Sequence, residues 1–173
     1  ITAVLLTLKS DDHVILPDDI YGGTLRLTEQ ILNRFNIKFT TVNATNILEI
    51  KNAIQSNTKL IYVETPSNPL FKITDIRAVA RIAKQNNLLL AVDNTFMTPL
   101  GQSPLALGAD IVVHSATKFL GGHSDLIAGA AITNRKDIAD ALYLLQNVTG
   151  TELSAHDSWT LAKHLKTLPV RIK

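Results

Sequence analysis

The chain has 173 residues, of which 46% are hydrophobic and 18% charged, with 17 basic and 15 acidic residues and no cysteine. This length suffices for one domain with a buried core, and the near balance of charge gives no reason to expect nucleic acid or a membrane surface as a partner. Disulfides are excluded, and no apolar run approaches the roughly 18 residues of a membrane-spanning helix.

The chain alternates short apolar runs with amphipathic segments. Residues 1–8 are typical of the end of a helix cut from a longer protein. Thr74 or Asp75 is expected to cap a helix that follows it. The alternation predicts an α/β fold with a mostly parallel sheet flanked by helices on both faces. We predict strands at 14–16, 38–42, 60–64, 88–92 and 111–114, an apolar segment at 126–133, and helices at 25–35, 47–55, 76–85, 136–146 and 154–168.

A lysine and two hydroxyls follow the apolar run that ends near residue 114: Ser115, Thr117 and Lys118. In a partly desolvated cleft a lysine loses its proton more readily than in water, and a neutral amine attacks aldehydes. The two hydroxyls are suited to a phosphate beside that amine. A lysine after a strand is more often a solvated loop residue. A lysine with phosphate donors is nevertheless what pyridoxal phosphate requires, so the pattern favours a site for that cofactor.

Two further strand ends carry polar side chains. Asp93 ends the strand predicted at 88–92, and it could pair with the pyridine nitrogen of the cofactor and keep the ring protonated. The commonest use of an aspartate after a strand is instead a cap or a turn. Glu64 ends the preceding strand, and Asn68 lies in the proline-containing turn behind it. Since ligands in parallel sheets bind beyond the carboxyl ends of strands, these ends together predict one crevice.

Tyr21 precedes two glycines, which would let a planar ligand approach its ring, although an aromatic residue on a surface turn is an equal alternative. Neither pair of adjacent glycines in the chain has the spacing of a dinucleotide-binding loop. The five histidines do not form a metal-binding motif, so no metal site is predicted. We expect His114 to be a hydrogen-bonded structural residue.

Six ordered segments carry a resemblance to a known family. The chain resembles, nearly end to end, the pyridoxal-phosphate enzymes of cysteine and methionine metabolism, which include the cystathionine gamma- and beta-lyases, cystathionine gamma-synthase and methionine gamma-lyase. The segments are Asp18-Asp19-Ile20-Tyr21-Gly22-Gly23-Thr24, Glu64-Thr65-Pro66-Ser67-Asn68-Pro69, Asp93-Asn94-Thr95-Phe96, Gly108-Ala109-Asp110-Ile111-Val112, His114-Ser115-Ala116-Thr117-Lys118 and Gly122-His123-Ser124-Asp125.

The resemblance implies roles for the candidate site residues. Lys118 matches the catalytic lysine that binds the cofactor covalently, and Asp93 matches the partner of the ring nitrogen. Tyr21 matches a tyrosine that stacks on the cofactor ring and belongs to the catalytic residues. The other implied cofactor contacts are Ser115 and Thr117 at the phosphate, Asn68 near the phenolic oxygen and Glu64 in the same pocket.

The resemblance also implies the setting of this site. The fold would be that of the type I aminotransferases, with residues 1–173 forming part of the large cofactor domain and with an N-terminal segment and a smaller C-terminal domain outside the chain. A homo-oligomer, a dimer of dimers, is expected, acting on a small amino acid. The cytoplasm is the default location, because the chain has no cysteine from which a redox compartment could be inferred. Ala155 and the pair Lys163-His164 depart from the family's common pattern, which leaves the subclass open.

The implied activity is elimination or replacement at the beta or gamma carbon of a sulfur-containing amino acid, foremost that of a cystathionine lyase. The alternatives are cystathionine gamma-synthase, methionine gamma-lyase, and an aminotransferase or decarboxylase on the same fold. A further alternative is that the isolated chain binds pyridoxal phosphate without turning over substrate.

Overall fold

A computed structural model describes residues 1–173 and contains one six-stranded sheet. The strands are β1 His13–Pro17, β2 Lys38–Val42, β3 Thr58–Glu64, β4 Leu89–Asp93, β5 Ile111–Ser115 and β6 Gly129–Ile132. They lie in the order β2-β1-β3-β4-β5-β6, and all neighbours are parallel except β6, which runs antiparallel to β5. The predicted α/β fold with a mostly parallel sheet is confirmed.

Eight α-helical segments flank or follow the sheet. None is long and apolar enough to cross a membrane. Asp75 is the predicted cap of the fourth, since its side chain accepts a hydrogen bond from the Ala78 amide at 3.0 Å. The segments are α1 Thr2–Leu5, α2 Gly22–Arg26, α3 Ile47–Asn52, α4 Ile76–Gln85, α5 Thr98–Gly101, α6 Lys136–Thr149, α7 Ala155–Leu165 and α8 Leu168–Arg171.

Two predicted helices are not continuous α-helices in the structure, whereas the helix predicted at 47–55 ends at Asn52 and the one predicted at 136–146 extends to Thr149. The helix predicted at 25–35 begins earlier, at Gly22, and continues beyond α2 as a π-helix at Leu27–Ile31 and a 3-10 turn at Leu32–Phe35. The helix predicted at 154–168 is divided into α7 and α8. The physical reason is Pro169, which has no amide hydrogen to donate to the preceding turn.

Apolar side chains cover both faces of the sheet because residues alternate along each strand. On one face Leu60, Tyr62 and Val113 belong to a cluster that also includes α1 and α6 residues, and on the other Ile61 and Val63 pack with α3 and α4. A third cluster lies beyond the end of β5. Its buried members are Ala116, Leu120, Leu126, Ala128 and Leu168.

Candidate active site

The carboxyl ends of three adjacent strands form the candidate site. Glu64 and Asp93 are the last residues of β3 and β4, and they are paired directly across the two strands. Both are buried, with 8% and 6% of their surface exposed. Ser115 ends β5 beside them. The structure therefore brings together the three strand ends that the sequence marked with polar side chains.

Asp93 is held in one orientation by hydrogen bonds to both carboxylate oxygens. The Tyr62 hydroxyl donates to Oδ2 at 3.1 Å, and the amide and hydroxyl of Thr95 donate to Oδ1 at 3.0 and 2.5 Å. The Thr95 hydroxyl oxygen also accepts from the Ser115 amide at 2.8 Å, which links Asp93 to β5. Three donors around this buried carboxylate hold it in a fixed position.

Tyr62 and Thr95 were both missed by the sequence analysis. Tyr62 is fully buried, and its pKa is raised well above its ordinary value, first by burial and then by the neighbouring Asp93 charge. Its hydroxyl therefore keeps its proton and donates the hydrogen bond to Asp93. The alternation of side chains along β3 could have identified Tyr62, because it lies two residues before Glu64 and hence on the same face of the sheet. Thr95 follows Asp93 by two residues, the spacing of a local side-chain turn.

Glu64 connects two loops that carry candidate site residues. Its Oε2 accepts a hydrogen bond from the Tyr21 amide at 3.0 Å, and its Oε1 accepts one from the Asn68 amide at 3.1 Å. The pKa of Glu64 is raised to about 7, mainly by burial and to a smaller extent by the charges of Asp93 and Asp19, while the two amide donors oppose the shift. One buried carboxylate thus fixes the backbone of both loops.

The raised pKa of Glu64 makes stability depend on pH. The pKa is about 7 in the folded chain against 4.5 for the ordinary group, so this contribution to stability is complete below pH 4.5 and is lost as pH rises through 7. We expect the free energy of unfolding of the native protein, relative to Glu64→Gln, to fall over this window by up to about 3 kcal/mol. Urea denaturation at a series of pH values measures it.

Glu152→Gln is the matched control for this pH series, because Glu152 is exposed and forms no hydrogen bond. Its difference from the native protein should show no comparable dependence between pH 4.5 and 7. A constant difference between the native protein and Glu64→Gln across the window would contradict the raised pKa.

Tyr21 lies at the start of α2, with 47% of its surface exposed. Its ring packs against Gly23, where a Cβ atom would overlap the ring carbon Cε1. Gly23 therefore allows the ring to fold over the turn, and about half of the Tyr21 surface stays exposed. Asn68 is half-buried in the turn after β3, and its side-chain amide has no hydrogen-bond partner within the chain.

Lys118 lies in the turn after β5 and borders a cleft of about 820 Å³ lined also by Phe96, Phe119 and Asp125. Its ammonium group forms no hydrogen bond or ion pair within the chain. The predicted partial desolvation of this lysine is not found: Lys118 is exposed, because the walls that this chain supplies leave the cleft open to solvent.

The two predicted phosphate ligands have different surroundings. The Ser115 hydroxyl has no partner within the chain, so its proton and lone pairs are available. The Thr117 hydroxyl donates to the Ala128 carbonyl at 3.2 Å and accepts from the Ala128 amide at 3.0 Å, which ties the Lys118 turn to the start of β6. To donate to a phosphate, Thr117 would have to rotate its hydroxyl away from Ala128.

His114 does not have the hydrogen bond expected from the sequence. Its ring is buried, and Nδ1 has no partner. Burial lowers its pKa, with a smaller opposing effect from Asp93, which favours the neutral ring. A buried ring nitrogen without a partner is unfavourable, and no group of this chain satisfies the Nδ1 of His114. No group of three or more histidine, aspartate or glutamate side chains is placed to hold a metal ion.

The donor set fits pyridoxal phosphate. Lys118, Ser115 and Asn68 each present a polar group without a partner in the chain, and the Asp93 Oδ2 accepts only the Tyr62 bond. These groups supply an amine for an aldehyde, a hydroxyl for a phosphate, and a carboxylate for a protonated ring nitrogen. Groups suited to the aldehyde, the phosphate and the ring nitrogen of this cofactor thus lie at the carboxyl ends of β3, β4 and β5 or in the turns that follow them.

Comparison with known proteins gives a consistent result. The chain is 87% identical over its full length to the cystathionine beta-lyase of Staphylococcus haemolyticus and 52% identical to the cystathionine gamma-lyase of Bacillus subtilis. It spans 44% and 46% of those two proteins, less than half of their length. The crystal structure of cystathionine gamma-lyase from Lactobacillus plantarum complexed with L-serine matches 98% of the chain and is 44% covered by it, with a TM-score of 0.96 and 43% identity.

The family model for Cys/Met metabolism PLP-dependent enzymes matches residues 1–173. This match covers the whole chain and includes every candidate residue described above. The fold agrees with it, since the structural neighbours include the cystathionine gamma-lyase of Lactobacillus plantarum and metB from Corynebacterium glutamicum. The chain therefore belongs to the Cys/Met metabolism family of pyridoxal-phosphate-dependent enzymes.

Proposed function

We propose that the protein to which this chain belongs cleaves a carbon-sulfur bond of a sulfur-containing amino acid, as a cystathionine lyase. The observation that carries the proposal is the group at the ends of the adjacent strands β4 and β5, where the Asp93 carboxylate lies beside an amine and a hydroxyl without partners, those of Lys118 and Ser115. The relatives support the choice of substrate, because their names are those of cystathionine beta- and gamma-lyases.

Each candidate residue has a role in this proposal. Lys118 would attach the cofactor, Asp93 would hold its ring nitrogen, and Tyr21 would stack on the ring and act as a second catalytic residue. Glu64 would keep Tyr21 and Asn68 in place through its two amide contacts. The remaining cofactor contacts would be Ser115 and Thr117 at the phosphate and Asn68 near the phenolic oxygen.

The chemistry divides between the cofactor and the chain. When bound, pyridoxal phosphate supplies an electron-accepting ring that stabilises negative charge at the substrate alpha carbon. The Lys118 amine, once free, takes and returns protons at the alpha and beta carbons. Asp93 would pair with the protonated ring nitrogen, and Tyr62 and Thr95 hold the carboxylate in position for this.

The alternatives are distinguished by the bond that breaks and the group that leaves. A cystathionine gamma-synthase and a methionine gamma-lyase would use the same residues, and one relative, 43% identical, is the cystathionine gamma-synthase of Mycobacterium leprae. An aminotransferase or decarboxylase would use the cofactor without releasing a thiol. The chain by itself would hold the cofactor without turnover if further parts of the protein complete the substrate site.

The setting of the site is part of the same proposal. Residues 1–173 would be part of a large cofactor domain, with an N-terminal segment and a smaller C-terminal domain elsewhere in the protein. Relatives more than twice as long support this division. A dimer of dimers would follow from the family resemblance, with the cytoplasm as the default location.

Product analysis with cystathionine tests the activity. Beta-elimination with addition of water should release homocysteine, pyruvate and ammonia, whereas gamma-elimination should release cysteine, 2-oxobutyrate and ammonia. We expect the protein containing this chain to give one thiol, one keto acid and ammonia in equal amounts, measured by thiol titration and chromatography. Transfer of the amino group to an added keto acid without release of a thiol would contradict a lyase.

A further inference from the structure

The turn that carries Lys118 has an incomplete set of internal hydrogen bonds. The Gly121 amide donates to the Ala116 carbonyl at 2.8 Å, and the Gly122 amide donates to the Lys118 carbonyl at 2.7 Å. The carbonyls of Phe119 and Leu120, between these two, receive no backbone amide. Both carbonyls are therefore free to accept hydrogen bonds from another part of the chain.

Arg171, at the end of α8, supplies those donors. Its Nη1 donates to the Phe119 carbonyl at 2.7 Å and its Nη2 to the Leu120 carbonyl at 3.3 Å. The same guanidinium donates to the His164 carbonyl at 3.2 Å and, through Nε, to the Thr167 hydroxyl at 2.8 Å. The planar group thus joins the Lys118 turn to α7 and α8 with four hydrogen bonds.

Gly122 and the apolar packing fix this contact from both sides. At Gly122, with φ of 74°, a Cβ would overlap the Arg171 Nη1, so only glycine allows the turn to approach the guanidinium. Beneath the turn, Leu168 of α8 is buried in the same cluster as Ala116 and Leu120. The turn therefore rests on α8 through apolar packing and is held by Arg171 at its carbonyls.

We propose that Arg171 is a positioning residue for Lys118, in that its guanidinium fixes the turn from which the lysine side chain extends. The inference rests on the proposed role of Lys118 in binding pyridoxal phosphate. An ammonium is a point donor and does not span two adjacent carbonyls as the guanidinium fork does. Arg171→Lys therefore keeps the positive charge but releases part of the turn.

The experiment uses the full-length protein that contains this chain, stripped of pyridoxal phosphate and then mixed with it. Borohydride trapping at successive times, followed by peptide mapping, gives the rate of attachment to Lys118. We expect Arg171→Lys to lower this rate at least about tenfold, because a displacement of the reacting amine by about 1 Å or less already slows a reaction strongly. Val170→Ala, at an exposed neighbouring position on α8, should keep the native rate.

Hydrogen exchange and chemical rescue separate positioning from general loss of structure. In Arg171→Lys, amides of the turn at 116–122 should exchange faster, while those of β3 and β4 should stay as slow as in the native protein. In Arg171→Ala, millimolar guanidinium should restore attachment at Lys118, and ethylammonium, of equal charge, should not. If Arg171→Ala fails to fold, Arg171→Lys decides the question by rate and exchange together.

The outcomes distinguish this inference from the proposed function. A native protein that forms no trapped adduct at Lys118 would overturn the proposed function, and the positioning role with it. A native adduct combined with an unchanged rate in Arg171→Lys would overturn the role of Arg171 alone. An equal increase of exchange in the strands and in the turn would also overturn that role, since Arg171 would then serve general stability.

Discussion

Replacement of Lys118 by alanine is expected to abolish covalent attachment of pyridoxal phosphate and to lower cystathionine cleavage by about 10³-fold or more. The Lys118 amine has no partner within the chain and borders an open cleft that Thr117 also lines. Lys72, in the loop after β3, is instead paired with Asp18. Visible absorbance with added cofactor, borohydride reduction and peptide mapping measure attachment, and thiol release measures turnover.

Lys84→Ala is the matched control for this substitution. Lys84 is an exposed lysine near the end of α4, which leads into the amino end of β4, far from the carboxyl end that carries Asp93. Its replacement should give the native absorbance and turnover. Full activity of Lys118→Ala in the full-length protein would refute the assignment of Lys118. A cofactor adduct mapped to a different lysine in the native protein would refute it independently.

Replacement of Asp93 by asparagine is expected to separate cofactor binding from turnover. Attachment at Lys118 should remain, whereas cystathionine cleavage should fall about 10²–10³-fold, the usual effect of removing one preorganised electrostatic contact. The reason is that a neutral amide does not stabilise a proton on the pyridine nitrogen as a carboxylate does. Steady-state rates and the borohydride-trapped fraction, measured on the same samples, provide the two readouts.

Asp75→Asn is the matched control for the Asp93 substitution. Asp75 caps α4 through the Ala78 amide, and asparagine caps a helix about as well as aspartate, so neither stability nor turnover should change. Unchanged turnover in Asp93→Asn would remove Asp93 from its proposed role. Loss of attachment together with turnover would indicate that Asp93 serves the structure of the site, through Tyr62 and Thr95, rather than the ring nitrogen.

The sequence predicted the sheet more accurately than its connections. Continuous apolar runs marked the central strands because such strands are buried on both faces, and their observed bounds differ from the prediction by only a few residues. The helix predicted at 25–35 was less accurate, since the change from α to π geometry near Leu27 leaves no trace in apolar spacing. The break before α8 was readable from Pro169 but was overlooked.

For the candidate site, the sequence predicted the residues but not the contacts between them. Asp93, Glu64 and Ser115 were identified from the sequence because each ends an apolar run, and the sheet order then brought those ends together. Their hydrogen bonds were not predictable. Tyr62 contacts Asp93 from a neighbouring strand, 31 residues away in sequence, and such a pairing depends on strand register.

By itself, the sequence determined which residue types end the strands, and hence the chemistry available at the carboxyl end of the sheet. The reason is that local apolar runs specify buried strands, and the polar residues that follow these runs mark where the strands end. Tertiary structure decided what surrounds those residues. It raised the pKa of Glu64 by burial, exposed Lys118, and brought Arg171 to the carbonyl of Phe119 from 52 residues away. Burial and long-range hydrogen bonding depend on which distant segments pack together, and no local pattern records that choice.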